Sequence, residues 1–342
     1  MLPTPSSRRA SEPPSVRFLA ALAAGLPPSS PGGFPLVVGV SGGADSVGLL
    51  VGMCRLVSGP IVVAHAQHDL RDDAHTDRVF VEELAAALGL PCEWRRLAVR
   101  DERSESGEGL EARARRLRYD FLARVAHACG GRHVLVAHTA DDQAETILHR
   151  ILRGTGIAGL AGMRRARELC DGVALVRPLL DVPRADVRRY LEEVGTDWRE
   201  DATNADTARA RNFLRHEVLP RCLGGPYPAA TAAVVRLGEQ AAGVAEALAS
   251  AADRLLEEHA VRTEGGGIWL RTRRLTGLHP HLVAEVFAAL WRREGWPRRD
   301  MTTAHYRALA DRVGRTTGDQ LALPGRMQVT SVDDGLLLRR EA

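Results

Sequence analysis

The sequence predicts an α/β fold: a Rossmann-like parallel sheet with helices on both faces, followed by a helical linker and a small second α/β domain. Three observations carry that expectation. An apolar, β-branched run, LVVGV, breaks at Ser41-Gly42-Gly43 into a helix start. From there strand-like and helix-like segments alternate, the order that gives parallel strands joined by helical crossovers. Ser41, His65 and His138 then each fall at the end of a strand-like segment, where such sheets bind their ligands.

Residues 1–14 are rich in Pro, Ser and Arg and are expected to form a disordered tail. Residues 18–26 are apolar and follow Arg8, Arg9 and Arg17. Arg17 abuts the run, and Pro27 and Pro28 stand where a cleavage site needs small residues, so a short helix packed under the first strand is expected rather than a signal peptide. Strands are expected at 36–40, 61–65, 93–99 and 133–138, and helices at 45–57, 74–88, 110–129 and 141–153, each from its apolar period. A strand over 173–176 runs into Arg177-Pro178-Leu179-Leu180, and Pro183 starts a helix to Val194. Gly224, Gly225, Pro226 and Pro228 mark a boundary. The expected organisation is a catalytic domain over 15–222, a helical linker over 223–263 and a small domain over 264–342, with strands at 268–271, 320–323, 327–332 and 336–339 and helices at 280–294 and 303–313.

At 342 residues with 45% apolar content the chain suits two soluble domains. A net charge of +3 permits a nucleic-acid partner without requiring one. The five cysteines are scattered without a C-x-x-C, which fits reduced thiols in the cytoplasm and argues against structural zinc or iron–sulfur. No apolar run reaches membrane-spanning length. All 46 basic residues are arginine. That removes a Walker lysine, an aldimine lysine and any ligase that carries AMP on lysine, so phosphate charge falls to backbone N–H, arginine and metal.

The strand–Gly-Gly–helix junction over Ser41, Gly42, Gly43, Ala44, Asp45 and Ser46 offers N–H groups and a helix dipole to an anion. Asp45 beside a polyphosphate is repulsive unless a cation intervenes, and Mg²⁺ is the natural bridge. His65 to Arg71 follow the second strand, as nucleotide-pocket residues or as ordinary hydrogen-bonding ones. Glu111, Arg115 and Arg118 share a helix face, either as a salt-bridge ladder or as a phosphate clamp. His138, Asp141, Asp142 and Glu145 gather at a strand end entering a helix. Arg153 to Met163 make a glycine-rich loop, a connector or a flap.

SGGADS resembles the loop of the N-type ATP pyrophosphatases. Together with HAQHDLR, LEARARRLRY, AHTADDQAETILHRILRGTGIAGLAGM, RPLL and DATNADTARARNFLRHEVLP, in this order over 34–222, it resembles the tRNA(Ile)-lysidine synthases. The resemblance implies that free L-lysine is joined to C2 of the wobble cytidine (position 34) of tRNA(Ile) with a CAU anticodon. ATP first adenylates the cytidine, AMP and pyrophosphate are released, and codon reading changes from AUG to AUA. It implies ATP binding by Ser41, Gly42, Gly43, Ala44, Asp45, Ser46 and His65, with Mg²⁺ on Asp45. Catalytic roles fall on Asp45, Arg115, His138, Asp142 and Glu145, with Asp142 or Glu145 as proton acceptor. Substrate binding falls on Glu111, Arg118, Asp141, Arg211, Asn212 and Arg215, and Asp201 and Asn204 match the segment that closes the domain. Gln67 and Asp69 depart from the family pattern around His68, and the extra carboxyl-terminal domain of longer members is expected to be absent or reduced. The arginines at 262, 271, 273, 274, 292, 293, 298 and 299 are a tRNA surface or a solvated face. A homodimer is left open, and no membrane partner is expected. The competing expectations are a tRNA thiolation enzyme, which would want clustered cysteines, and a nucleotide-binding module without catalysis.

Overall fold

The computed structural model describes residues 12–27, 33–68, 74–99, 109–200, 210–315 and 320–341. Residues 1–11 of the expected tail, Asp69 and Arg71, and Asp201 and Asn204 lie outside the described residues. The chain divides into two compact units, 1–239 and 240–342, with the division inside one long helix, Ala230–His259.

The first unit runs α1 (Pro14–Gly25), β1 (Leu36–Gly39), α2 (Ala44–Leu56), β2 (Ile61–His68), α3 (Ala74–Ala87), β3 (Cys92–Leu97), α4 (Leu110–Cys129), β4 (His133–Leu135), α5 (Ala140–Leu152), α6 (Ile157–Leu160), β5 (Ala166–Cys170), β6 (Val173–Val176) and α7 (Arg184–Val194). Then come α8 (Ala210–Phe213), a π-helical turn over Leu214–Val218 and α9 (Leu219–Leu223), before α10 (Ala230–His259). The sheet order is β3-β2-β1-β4-β6-β5. All neighbours pair in parallel except β5, which runs antiparallel to β6. The strands therefore build outward in opposite directions from β1 and β4, and the crevice between their carboxyl ends is the topological switch point where such sheets take ligands.

Side-chain alternation along the strands makes two cores. Leu36, Val38, Val40, Ile61, Val63 and Leu135 pack with α1, α2, α3 and α7, while Val37, Val62, Ala64, Val134 and Val136 pack with α4. Helices thus cover both faces, as the alternating sequence predicts. Two glycines let the first layer close. A Cβ at Gly48 would lie 2.4 Å from Val187 Cγ1, and one at Gly52 would lie 2.6 Å from Leu22 Cδ2. The smooth side of α2 is what admits α1 and α7, and Phe18 of α1 stacks on Tyr190 of α7 at 4.2 Å.

The first unit departs from expectation in several details, these among them. Helix α1 shares the core of β1 but packs directly on α2 and α7. Strand β2 extends to His68, and β4 ends at Leu135, so His138 stands beyond the strand instead of on it. Strand β5 was not expected, because its sequence, ARELC, is a mostly exposed edge with no apolar alternation to read.

The second unit carries an antiparallel sheet, β7 (Ala260–Arg262), β8 (Ile268–Arg271), β9 (Gln320–Leu323), β10 (Met327–Val332) and β11 (Gly335–Arg340), in the order β7-β8-β11-β10-β9. Ile268, Leu270, Val329, Leu336 and Leu338 from the sheet form one core with Val286, Phe287, Leu290 and Trp291 of α11 (Pro280–Arg293) and Leu309 of α12 (Thr303–Ala310). Trp291 is fully buried, with Trp296 and Tyr306 edge-on to it at 4.9 and 6.0 Å.

Candidate active site

Gly42 holds φ at 98°, a conformation open to glycine without strain, and so turns the chain sharply after β1. The hydroxyl of Ser46 fills the turn. It accepts the N–H groups of Ser41 at 3.1 Å and Gly42 at 3.2 Å, and it donates to the Gly43 carbonyl at 2.9 Å. This revises the expectation that these amides face a ligand: Ser41 and Gly42 spend their N–H groups on the loop, and Ser46 orders it. The open donors lie one step further on. Helix α2 starts at Ala44 with no side chain capping Gly43, and the amides of Ser46 and Val47 both turn to the Gly43 carbonyl. The N–H groups of Ala44 and Asp45 have no acceptor within the helix, and with the helix dipole they form the anion-binding end.

His65 is 3% exposed, and its Nδ1 lies 2.9 Å from the Val40 carbonyl. Since a carbonyl only accepts, Nδ1 carries the proton. Burial lowers the ring's basicity despite that bond. With Nδ1 carrying the proton, Nε2 is a buried acceptor with no partner among the described residues. His65 is suited to receive an N–H, such as an exocyclic amine of a base.

Across the crevice, Thr139 caps α5. Its N–H and hydroxyl donate to Asp142 Oδ2 at 2.9 and 3.0 Å, which fixes the carboxylate at the helix start. Three arginines then converge. Arg184 reaches Asp45 Oδ2 at 2.8 Å and Asp142 Oδ1 at 3.1 Å. Arg211 meets Glu145 Oε2 at 3.1 Å, and Arg215 meets Glu145 Oε1 at 2.6 Å and Asp142 Oδ1 at 2.9 Å. Glu145 is 1% exposed, a burial tolerable for a carboxylate only because it is paired. Burial would raise the Asp142 carboxyl, but Arg184, the Thr139 amide and Arg211 outweigh it and hold the group below the usual carboxylate range. Asp45 goes the other way. Burial, with Asp142 and Asp141 nearby, raises it despite Arg184, and its Oδ1 is buried without a partner among the described residues. Among the described residues no group of three or more His, Cys, Asp or Glu could hold a metal ion. A bare Asp45 oxygen fits an ion held mostly by phosphate oxygens, which takes one or two carboxylates from the protein.

A second arginine group has no carboxylate among its described contacts. The guanidinium groups of Arg115, Arg118 and Arg167 lie 5.0, 5.3 and 5.0 Å from the centre of the Tyr119 ring. Arg177 is 3% exposed and donates to the Arg164 carbonyl at 2.7 Å. Burial alone would raise the Tyr119 phenol, yet the positive charge of Arg118, Arg115, Arg177 and Arg167 brings it below its ordinary value. His138 adjoins this group, its basicity depressed first by burial and then by Arg177, Arg118 and Arg211, with Asp142 opposing. Its Nδ1 has no partner among the described residues. The neutral ring stands between the arginine group and the acidic centre.

The glycine-rich loop is fastened to α5. Gln143 exchanges two hydrogen bonds with Met163, at 3.1 and 2.8 Å, and Arg150 donates to the carbonyls of Gly159 and Gly162 at 2.8 and 2.7 Å.

The structure therefore brings together Asp45, Asp142, Glu145, Arg211 and Arg215, with Asp141 accepting the Arg184 amide at 2.8 Å. Arg115 and Arg118 stand with His138. Glu111 is exposed and makes no ion pair with Arg115 or Arg118 among the described contacts, so the salt-bridge ladder is not formed. Asn212 is placed between Arg211 and Phe213 in α8. Sequence reasoning missed Arg184 and Arg177 as site residues. The signal for Arg184 was its position directly after a helix-starting proline; for Arg177 it was the RPLL run.

A family model described as a PP-loop domain matches residues 27–222. A tRNA(Ile)-lysidine synthase of Rhodopirellula baltica is 36% identical over 312 residues, covering 80% of this chain and 78% of that protein. Proteins of the same name from Deinococcus radiodurans and Thermus thermophilus are each 45% identical, over 65% and 66% of this chain, which spans only 37% and 43% of their length. Among solved structures, a U34-tRNA thiolase from Methanococcus maripaludis matches with a TM-score of 0.55 at 13% identity, over 66% of this chain and 78% of that one. At that identity the likeness shows a shared fold.

Proposed function

Because the chain belongs to the tRNA(Ile)-lysidine synthase family of PP-loop proteins, we propose that it joins free L-lysine to C2 of cytidine 34 in the CAU-anticodon tRNA(Ile), by way of an adenylated cytidine. The products are lysidine, AMP and pyrophosphate, and the modified tRNA reads AUA in place of AUG. The observation that carries the reading is the meeting, at one switch point, of the open start of α2 with the carboxylates Asp45, Asp142 and Glu145.

C2 oxygen is a poor leaving group, so it attacks the α-phosphate of ATP and pyrophosphate departs. Negative charge grows on the phosphate as it does so. The α2 amides and the group of Arg115, Arg118 and Arg177 are the donors that would meet it, in a setting organised before the substrate arrives. Asp45 would hold magnesium through its bare Oδ1, and that ion would neutralise phosphate charge. Lysine's amine must then lose a proton before it attacks C2, at a cost of roughly 4–5 kcal/mol near neutral pH. Asp142 or Glu145 would accept that proton, and Asp142, held on its ionised side, is suited to hold the ammonium in place. Neutral His138 adds an uncharged hydrogen-bonding group beside the base.

The second unit, with its exposed arginines, is proposed as a tRNA-docking surface, and the cytoplasm as the place of action. No described helix is long and apolar enough to cross a membrane. ATP–pyrophosphate exchange that depends on tRNA(Ile), followed by mass analysis of the nucleosides with lysine supplied or withheld, tests the reading. Lysidine should appear only with lysine and ATP. Exchange without tRNA, or a sulfur-bearing nucleoside in place of lysidine, overturns it.

A further inference from the structure

Arg184 joins two parts of the cleft that come from separate helices. Its Nε donates to Asp45 of the phosphate loop at 2.8 Å, its Nη2 to Asp142 at 3.1 Å, and its Nη1 lies 3.8 Å from Glu145. Its main-chain N–H is tied to Asp141 at 2.8 Å, so the root of the side chain is fixed while the side chain stays 20% exposed. Among the described ion pairs, Asp45 has Arg184 as its basic partner, whereas Asp142 and Glu145 are also held by Arg211 and Arg215. Asp45, Asp142 and Glu145 thus each face at least one guanidinium group, with Asp141 beside them on the Arg184 amide. Carboxylates already paired in this way offer little to an incoming ammonium. Beside Arg184, however, lies the open end of α2, where a polyphosphate would arrive, and a guanidinium prefers a phosphate's fork of oxygens at least as well as a carboxylate's. If Arg184 turns to the phosphate, Asp45 and Asp142 lose a positive partner, and an alkylammonium can take its place.

We propose that Arg184 is a positioning residue that makes amine binding wait for the nucleotide. The inference rests on the lysine-ligating reading above and adds an order of events to it: the loop fills first, Arg184 shifts its charge, and only then does the acidic centre accept lysine. Binding coupled in this way is reciprocal, so each ligand must tighten the other by the same factor.

The test is calorimetric titration of the full chain with L-lysine, with and without magnesium and an α,β-methylene analogue of ATP. Wild-type protein should bind lysine at least tenfold more tightly with the analogue present, and the analogue should gain the same factor from lysine. In Arg184→Gln the analogue should no longer change lysine affinity, and lysine should bind the nucleotide-free protein more tightly than it binds wild type. Arg184→Lys keeps the charge but cannot span two carboxylates, so it should retain only a fraction of the coupling. It serves as the decisive variant if thermal melting shows that Arg184→Gln is unfolded. Coupling of wild-type size in whichever variant folds overturns the inference. A wild-type protein that binds both ligands without coupling overturns it too and leaves the ligase reading intact. A wild-type protein that binds neither lysine nor the analogue counts against both.

Discussion

Arg215 grips Glu145 through two bonds, Nε to Oε1 at 2.6 Å and Nη2 to Oε2 at 2.9 Å, across 70 residues of chain. This pair fastens the turn Leu214–Val218 onto α5. Removing one partner leaves the other with a remaining counter-charge, since Glu145 keeps Arg211 and Arg215 keeps Asp142. The loss is therefore smaller than in a fully orphaned buried pair, where it is about 3–5 kcal/mol. Glu145→Gln and Arg215→Met should each lower stability, but by less than that amount. The double variant should cost clearly less than the sum, because the charge left short of a partner goes too. Urea denaturation of the three variants checks this, and lysidine formation should be lost in Glu145→Gln even where the protein remains folded.

Ser46 acts through the loop it fills. Ser46→Ala strips the acceptor from the Ser41 and Gly42 amides, a cost of about 1–3 kcal/mol if they stay buried. The loop should then be poorly ordered for the nucleotide. The expected result is a rise of roughly tenfold in the KM for ATP in pyrophosphate exchange, with a smaller change in the KM for lysine. An unchanged KM for ATP would show that the hydroxyl is not needed to shape the loop.

The fastening of the glycine-rich loop predicts a different kinetic signature. Gln143→Ala removes both bonds to Met163, and Arg150→Ala removes both to the Gly159 and Gly162 carbonyls. Neither side chain is proposed to touch ATP. Each variant should therefore lose turnover, by roughly tenfold, at nearly constant nucleotide affinity, and limited proteolysis should cut more readily between residues 153 and 163.

Two histidines make the fold sensitive to mild acid. His65 and His138 are both less basic in the folded chain than in the unfolded one, chiefly through burial. The unfolded state therefore binds more protons once the pH falls below about 6.5, so the stability they contribute is whole above that pH and is lost progressively as acid is added. Melting temperature should fall from pH 7.5 to pH 5, and the fall should be shallower in His65→Asn than in wild type. The raised carboxyl of Asp45 acts in the opposite direction but is common to both proteins, so it cancels in the comparison.

What could be read from the residues, and what could not, follows from range. The junction after β1 was legible because every cue is local: a β-branched run, two glycines and a helix start. The five parallel strands were legible for the same reason. Asp142 and Glu145 stood out with His138 because the three gather where a strand end enters a helix. Arg184 and Arg177 were hidden, since each is one arginine among 46 basic residues and becomes special only when the fold brings α7 or the end of β6 beside a distant carboxylate or tyrosine. Glu111 was misleading for a related reason. Helical spacing aligned it with Arg115 and Arg118, but those arginines turn to the ring of Tyr119 on the same helix, and spacing alone does not say which of several neighbours a long side chain will choose. Ser46 was read only as one residue of the nucleotide loop, because a loop's internal hydrogen bonds depend on its backbone path, which the residue names do not specify.

Gly48 stands one helical turn after Asp45, and Val187 stands one turn after Arg184, so the contact between Gly48 and Val187 is the floor beneath the ion pair of Asp45 and Arg184. A methyl group added at position 48 would act as a wedge, prising the two helices apart close to where their charges meet. An inherited change at this glycine would therefore look like a lesion of chemistry, although the residue meets no ligand. The clearance between two helices is in this sense part of the enzyme's reactive apparatus.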